Sequence, residues 1–421
     1  MKVLIALLLL FLFNLDISNA GQYLRLESAL KQALENNPEI KAARAHWQAK
    51  TKIPSQVSTL PNPTIGVSFK NAGFSEITLG DDPRTDIQAF MIQEIPFPTK
   101  LSSKKKIAEE NTESYKWETE STSRRVIGDL KEVYYNWFLV TKSLEITEKN
   151  KDLLEKFVKT AEIKYEVGKG IQQDVIKAQV ELSSFIERIE LLKMKKDITE
   201  AQLKKIINLP QDSNIGSPEE IKESSLDSSL EQLLVITKKQ SPMLLKQLEL
   251  IDRKEEELNL AKKQYLPDFI VKATYFNRDG GSGDLDDLWQ VGVGLKVPLY
   301  FWRKEKLGTE EARLNLKASK EGYEDRASEI MFSVKDQYIK ARTAARLMGL
   351  YSDGIIPQSQ ISLESAISGY QVGDVDFLTL LNNLVTLFNF EIEYYRQLSQ
   401  YQTSLARLEQ LTGVDLIFNN N

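Results

Sequence analysis

The 421-residue chain contains no cysteine and a single histidine, His46. Disulfides, thiolate metal sites and a lipid-bearing N-terminal cysteine are thereby excluded. His46 falls on a polar helix face, and with no second imidazole and no thiol it predicts no metal site. No nucleophile elbow, phosphate loop or zinc signature is present, so the chain reads as a non-enzyme without cofactor. Charge is ordinary: 55 basic against 60 acidic residues leave a net charge of −5, with no hint of nucleic-acid binding. Proline is missing from the whole stretch between Pro98 and Pro210, where glycine occurs only at Gly128, Gly168 and Gly170.

Long apolar runs are also scarce. The one candidate, Val3–Phe13, follows Lys2 and precedes Ser18-Asn19-Ala20. A basic start, a short apolar segment and small residues at −3 and −1 predict a signal peptide over residues 1–20, cleaved after Ala20. A membrane-spanning helix needs about 20 apolar residues. A mature chain that crosses a membrane must therefore do so with strands.

What is present is a duplication. Leu60-Pro61 recurs as Leu266-Pro267, Pro96 as Pro298, and Tyr165-Glu166-Val167-Gly168 as Tyr370-Gln371-Val372-Gly373. The landmarks keep register roughly 205 residues apart, and a repeat found early governs the fold assignment. The first repeat covers residues 21–210 and the second 228–413, with a polar linker over 211–227 and a disordered tail over 414–421. Each copy reads as helices, two alternating segments, a very long helix, a glycine turn and another helix.

Leu26–Ser58 predicts two helices broken at Asn36-Asn37-Pro38, because Pro fits a first helical position. Thr64–Lys70 then alternates strictly, with Ile65, Val67 and Phe69 against Gly66, Ser68 and Lys70. A second strand is expected over Thr85–Ile95, around Ile87, Ala89 and Met91. In the second copy Phe269, Val271, Ala273 and Tyr275 alternate with Lys272 and Thr274. Trp289, Val291, Val293, Leu295 and Val297 alternate with Gln290, Gly292, Gly294 and Lys296. Segments of about ten residues, apolar on one face only, are the pattern of outer-membrane barrel strands. Asn71–Arg84 and Asn277–Asp286 become extracellular loops. Asp279–Asp284 has a calcium-loop flavour but the wrong spacing, and is read as a flexible loop.

Thr99–Val167 predicts one uninterrupted helix. After Gly168, Ile171, Val175, Ala178, Leu182, Phe185, Ile189 and Leu192 step by four and three, a heptad seam that implies coiled-coil packing. Phe377, Leu381, Leu384 and Phe388 repeat it after Gly373, and Pro357 is expected to kink the second long helix. The two glycine turns are the tips of helical hairpins.

Four strands cannot close a barrel, and the smallest spanning barrels have eight. An eight-stranded interior is filled by side chains, and the small inward residues Gly66, Gly292 and Gly294 favour a wider pore. Three chains and twelve strands satisfy both conditions. Tyr300-Phe301-Trp302, at the strand-to-helix switch, suits an interfacial aromatic girdle facing outer-membrane lipid.

With these features the chain resembles the TolC-type outer-membrane efflux proteins over essentially its whole mature length. The resemblance rests on Tyr165-x-Val167-Gly168 with Asp174-Val175, on Tyr370-x-Val372-Gly373, and on Leu411-Thr412-Gly413. Leu60-Pro61-Asn62-Pro63 and Val297-Pro298-Leu299-Tyr300-Phe301 look most like the heavy-metal efflux branch. The resemblance implies an α+β membrane protein: a homotrimer whose twelve-strand β-barrel, four strands per chain, is continued by a long α-helical periplasmic tunnel. It further implies docking through the tips, at Tyr165, Val167, Gly168, Tyr370, Val372 and Gly373, to a periplasmic adaptor and a proton-driven inner-membrane pump. Solutes would be metal cations or drugs.

One departure concerns the entrance. Where some members carry aspartates after the second tip, this chain has Thr379 and Asn382, and Asp374 and Asp376 lie nearer the turn. Asp174, Asp374 and Asp376 are the entrance or gate candidates, with Lys164, Lys169 and Lys177 the nearest cations. Asp374 and Asp376 act either as entrance charge favouring cations or as solvated turn residues, with Asp374 capping the last helix. A soluble coiled coil would not break its heptads with paired alternating segments. The competing transport role is the outer-membrane channel of a type I protein secretion system.

Overall fold

The computed structural model describes residues 23–78, 82, 84–221, 224–278 and 286–416. The expected signal peptide, most of the second extracellular loop with its calcium-like stretch, part of the first loop and residues 417–421 lie outside the described residues. The chain divides into two compact units. One holds the described residues within Met1–Lys41, Thr122–Thr237 and Met331–Asn421; the other holds Ala42–Ser121 and Lys238–Ile330. Each unit draws on both copies of the repeat.

The first unit is helical. Its backbone elements include α1 (Leu26–Asn36), the start of α2 (Pro38–Lys50), much of α4 (Pro98–Glu166), α5 (Gln172–Ile207), α6 (Leu230–Gln240), α9 (Ile356–Val372) and α10 (Phe377–Thr412). The break at Asn37-Pro38 forms as the sequence demands: the Asn37 Oδ1 accepts the N–H groups of Glu39 and Ile40 at 2.9 and 3.2 Å, capping α2. The seam expected on α5 is the buried one. Ala178 and Phe185 share a buried cluster with Leu154 and Ala161 of α4, Leu363 and Ala366 of α9, and Leu381, Leu384 and Phe388 of α10, with Val175 and Leu182 partly buried against it. Ile189 is buried as well. Only Ile171 leaves the seam; it precedes α5 in extended conformation and is exposed.

Three local expectations change. Leu26–Ser58 forms three helices, because Pro54 starts α3 (Ile53–Ser58) and cannot donate the hydrogen bond that would continue α2. Next to Pro357 the second long helix is interrupted, as expected. A π-helical turn at Tyr351–Ile355 joins α8 (Lys304–Leu350) to α9 there. The linker is also not merely a loop. Its β4 (Ser217–Pro218) pairs in parallel with β1 (Tyr23–Leu24). The Tyr134 hydroxyl binds both sides, donating to the Leu24 carbonyl at 2.7 Å and accepting the Glu219 N–H at 3.1 Å. The tail is tied down as far as Leu416, whose N–H reaches a Glu409 carboxylate oxygen at 2.9 Å.

The second unit contains α3, the start of α4, α7 (Pro242–Lys263), most of the described α8 start, and one antiparallel sheet of four strands. The order is β2 (Thr64–Lys70), β3 (Asp86–Ile95), β5 (Asp268–Asn277), β6 (Leu288–Lys296). Register aligns Val67 with Ala89, Ala89 with Tyr275, and Tyr275 with Trp289. Because side chains alternate, Ile65, Met91, Ala273 and Val291 share that same face. This face is apolar across all four strands yet open: Ile65 is 76% and Trp289 78% exposed. Apolar area left in water costs about 25 cal/mol per Å². Among the described residues, strands β2 and β6 each leave one edge unpaired. Among the described residues no helix is long and apolar enough to cross a membrane.

Candidate functional site

The first hairpin turn forms where α4 runs out of helix-compatible residues. Gly168 adopts φ +71°, and the Lys169 N–H returns to the Lys164 carbonyl at 2.8 Å. At the second turn Gly373 has φ +95°, with its N–H and that of Asp374 both on the Gly369 carbonyl at 3.0 and 2.9 Å. A side chain with a Cβ is strained at these angles, which is why glycine closes both turns. Gly369 was not singled out by the repeat. A Cβ there would stand 2.5 Å from Cγ2 of Val375, so its smallness lets the chain fold back.

The sequence copies are not structurally equivalent. Tyr165 is 48% exposed, together with Val167 and Val372, whereas Tyr370 is 7% exposed and packs edge-on against Phe377 at 5.6 Å. Lys164, one residue before Tyr165, places its ammonium 3.8 Å from the Tyr370 ring centroid and donates to the Tyr370 carbonyl. The two tips are thus joined, and the predicted tip residues are brought into one region.

The three aspartates separate into different roles. Asp376, not Asp374, caps α10: its carboxylate accepts the Thr379 N–H at 2.8 Å and the Thr379 hydroxyl at 2.9 Å. The turn consumes Asp374 and Val375 in returning the backbone to Gly369, so α10 begins two residues later than an Asp374 cap would require. The hydrogen bonds from Thr379 hold the Asp376 carboxyl below the usual range. Burial, and then the nearby charge of Asp376, push Asp174 upward. Burial followed by the Asp174 charge raises Tyr370 as well. Asp374 is exposed, as are Lys169 and Lys177.

On the sheet, Gly66 does not leave open space. A Cβ at Gly66 would meet Cζ of Phe90 at 2.5 Å, so the glycine admits an aromatic ring laid across it. Tyr300, Phe301 and Trp302 are exposed, with Phe301 and Trp302 edge to face at 5.4 Å. In the same unit one carboxylate oxygen from each of Glu110, Glu249 and Asp252 lies within 4.8 Å of the other two, a group that could hold a cation. Burial, the hydrogen bond to Glu249 and the surrounding carboxylates push Glu110 up to about 7, which relieves the crowding with a proton. Nothing in the sequence pattern marks this trio, because it joins α4 to α7 across a long separation. His46 stays exposed on α2.

This fold is that of the solved outer-membrane channels. VceC from Vibrio cholerae matches at a TM-score of 0.79 and 13% identity, covering 93% of this chain and 96% of its own. CmeC from Campylobacter jejuni matches at 0.76 and 15%, covering 94% and 87%. MtrE from Neisseria gonorrhoeae, solved in its open state, matches at 0.77 and 14%, covering 94% and 90%. No curated protein matches in sequence. The family model described as Outer membrane efflux protein matches residues 29–209 and 233–414, and the chain belongs to that family. It is an outer-membrane efflux protein.

Proposed function

We propose that three copies of this chain form the outer-membrane conduit of a tripartite efflux system, receiving solute from a periplasmic adaptor and an inner-membrane, proton-driven pump. The observation that carries this reading is the sheet: four strands, one continuous exposed apolar face and two unpaired edges. In lipid every strand edge must be paired, so the edges of β2 and β6 call for neighbouring chains. Twelve strands give a water-filled interior, which eight do not. The exposed Tyr165, Val167 and Val372 are the surface offered to the adaptor, and Tyr300, Phe301 and Trp302 suit the membrane interface. Export relies on the signal peptide, cleaved after Ala20. Metal cations or drugs are the expected solutes, and a type I secretion role is the alternative outcome.

Mass measurement of the detergent-extracted protein tests assembly, with a trimer expected. A stable monomer that keeps its strand content would sink the proposal, since its edges would stand unpaired in lipid. Deletion of the chain should raise sensitivity to metals or drugs; loss of a secreted protein instead would favour type I secretion.

A further inference from the structure

The sheet face opposite the apolar one is mixed, with Phe90, Ile92, Ile270 and Phe276 among its polar residues, and its charges are unevenly balanced. Asp86 faces Lys70 at 4.0 Å, Glu94 faces Lys296 at 3.7 Å, and Asp268 holds Lys100 at 2.9 Å. All three carboxylates sit at or next to strand ends. Lys272 sits in the middle of β5, in register with Ile92 on one side and Gly292 on the other. Among the described residues no carboxylate lies within ion-pairing distance of it. Its neighbour is a ring: the Lys272 ammonium stands 5.6 Å from the centroid of Phe90. Phe90 in turn lies across Gly66, where a Cβ would come within 2.5 Å of Cζ. Gly66 therefore admits the ring, and the ring flanks the ammonium. The other mid-strand side chains of this face, among them Ser68, Gln88, Ile92, Ile270, Thr274 and Gln290, carry no charge.

We propose that Lys272 gives the barrel lumen a cationic girdle that favours anionic solutes. The inference rests on the channel reading above, which makes this face the water-filled one. Three chains would then place three unpaired ammonium groups around one passage at mid-strand height. A lumen walled by low-dielectric material focuses such a field, and rings of lysine or arginine select anions in pores. The face of an aromatic ring attracts a cation without neutralising it, so Phe90 positions the charge and leaves it available. This sign is opposite to that of the tip aspartates, so the girdle is a separate station from any acidic entrance.

Because the chain has no cysteine, one introduced thiol reports the local potential, whatever the state of the tips. Gln290→Cys places it one register pair along from Lys272, on the same face. In outer membranes carrying the full-length protein, anionic sulfonatoethyl methanethiosulfonate is expected to label it several-fold faster than the cationic trimethylammonium analogue, relative to free thiol. That preference should vanish with Lys272→Gln, reverse with Lys272→Glu and persist with Lys272→Arg. An unchanged preference in Lys272→Gln would overturn the girdle. Failure of both reagents at Gln290→Cys, or equal labelling of the opposite-face Val291→Cys, would instead overturn the channel reading on which it rests.

Discussion

The ammonium of Lys164 lies 3.8 Å from the centre of the Tyr370 ring and donates a hydrogen bond to the Tyr370 carbonyl, tying the first hairpin tip to the second. A partly desolvated cation–π contact is worth about 0.5–2 kcal/mol. That is small enough for a docking partner to break and large enough to bias a resting state. Lys164→Gln is predicted to loosen the tips and raise the single-channel conductance of the reconstituted protein. Lys164→Arg should retain part of the contact. Equal conductance in all three proteins would reduce Lys164 to a packing role.

The aspartates can be separated experimentally because the structure gives them different partners. Asp374 is exposed and not the cap, so Asp374→Asn should lower cation preference at the entrance without disturbing α10. Asp376→Ala should fray the start of α10, seen as faster amide exchange at Leu378 and Thr379. The sign of the pH dependence follows from the lowered Asp376 pKa. Its contribution is complete above the ordinary aspartate pKa of about 3.9 and disappears as pH falls through the folded-state value. Amide protection that ignores pH across that acid range would contradict the capping assignment.

Gly168 and Gly373 occupy the left-handed region with open space where a Cβ would point, so substitution strains the backbone without a steric clash. On the proposal that the turns present the docking surface, Gly168→Val and Gly373→Val are predicted to leave trimers in the membrane while abolishing efflux. Comparable loss of trimer and of efflux would mean that the glycines merely end helices. Efflux at the unaltered rate with both replaced would refute tip docking.

Glu110 links stability to pH in the range where cells live. Its folded-state pKa of about 7 exceeds the usual carboxylate value, so the folded chain binds an extra proton at intermediate pH. Stability from this group is fully present below the unfolded pKa, about 4.3, and is lost as pH rises through 7. Discounted for solvent screening at this half-buried position, the effect is about 1 kcal/mol. Glu110→Gln should therefore flatten the pH dependence of thermal unfolding between these limits and stabilise at pH 8. Identical pH profiles for the two proteins would remove Glu110 from the balance.

Much of the fold was legible because it depends on periodicity and backbone chemistry, which are local. The 69-residue α4 needed only an interval free of proline. The α5 seam followed from heptad spacing, and the positive φ of Gly168 and Gly373 from their place after a helix. The strand faces followed from strict alternation, and the register in the sheet keeps each apolar face continuous. Misreadings arose where distant residues or competing turn geometry decided the outcome. Asp374 had the right chemistry for a cap, but the return of the turn to Gly369 moved the helix start to Phe377.

Sequence alone determined the duplication, the helical hairpins, and four strands with one apolar face. These depend on residue spacing. Only the tertiary structure decided that Tyr370 is buried while its repeat partner Tyr165 is exposed, and that Lys164 bridges the tips. It alone set Phe90 across Gly66 beside Lys272, and gathered Glu110 with Glu249 and Asp252. Equivalent residues in two copies acquire different surroundings once they pack together, and charges far apart in the chain interact only after the fold has brought them within a few ångströms.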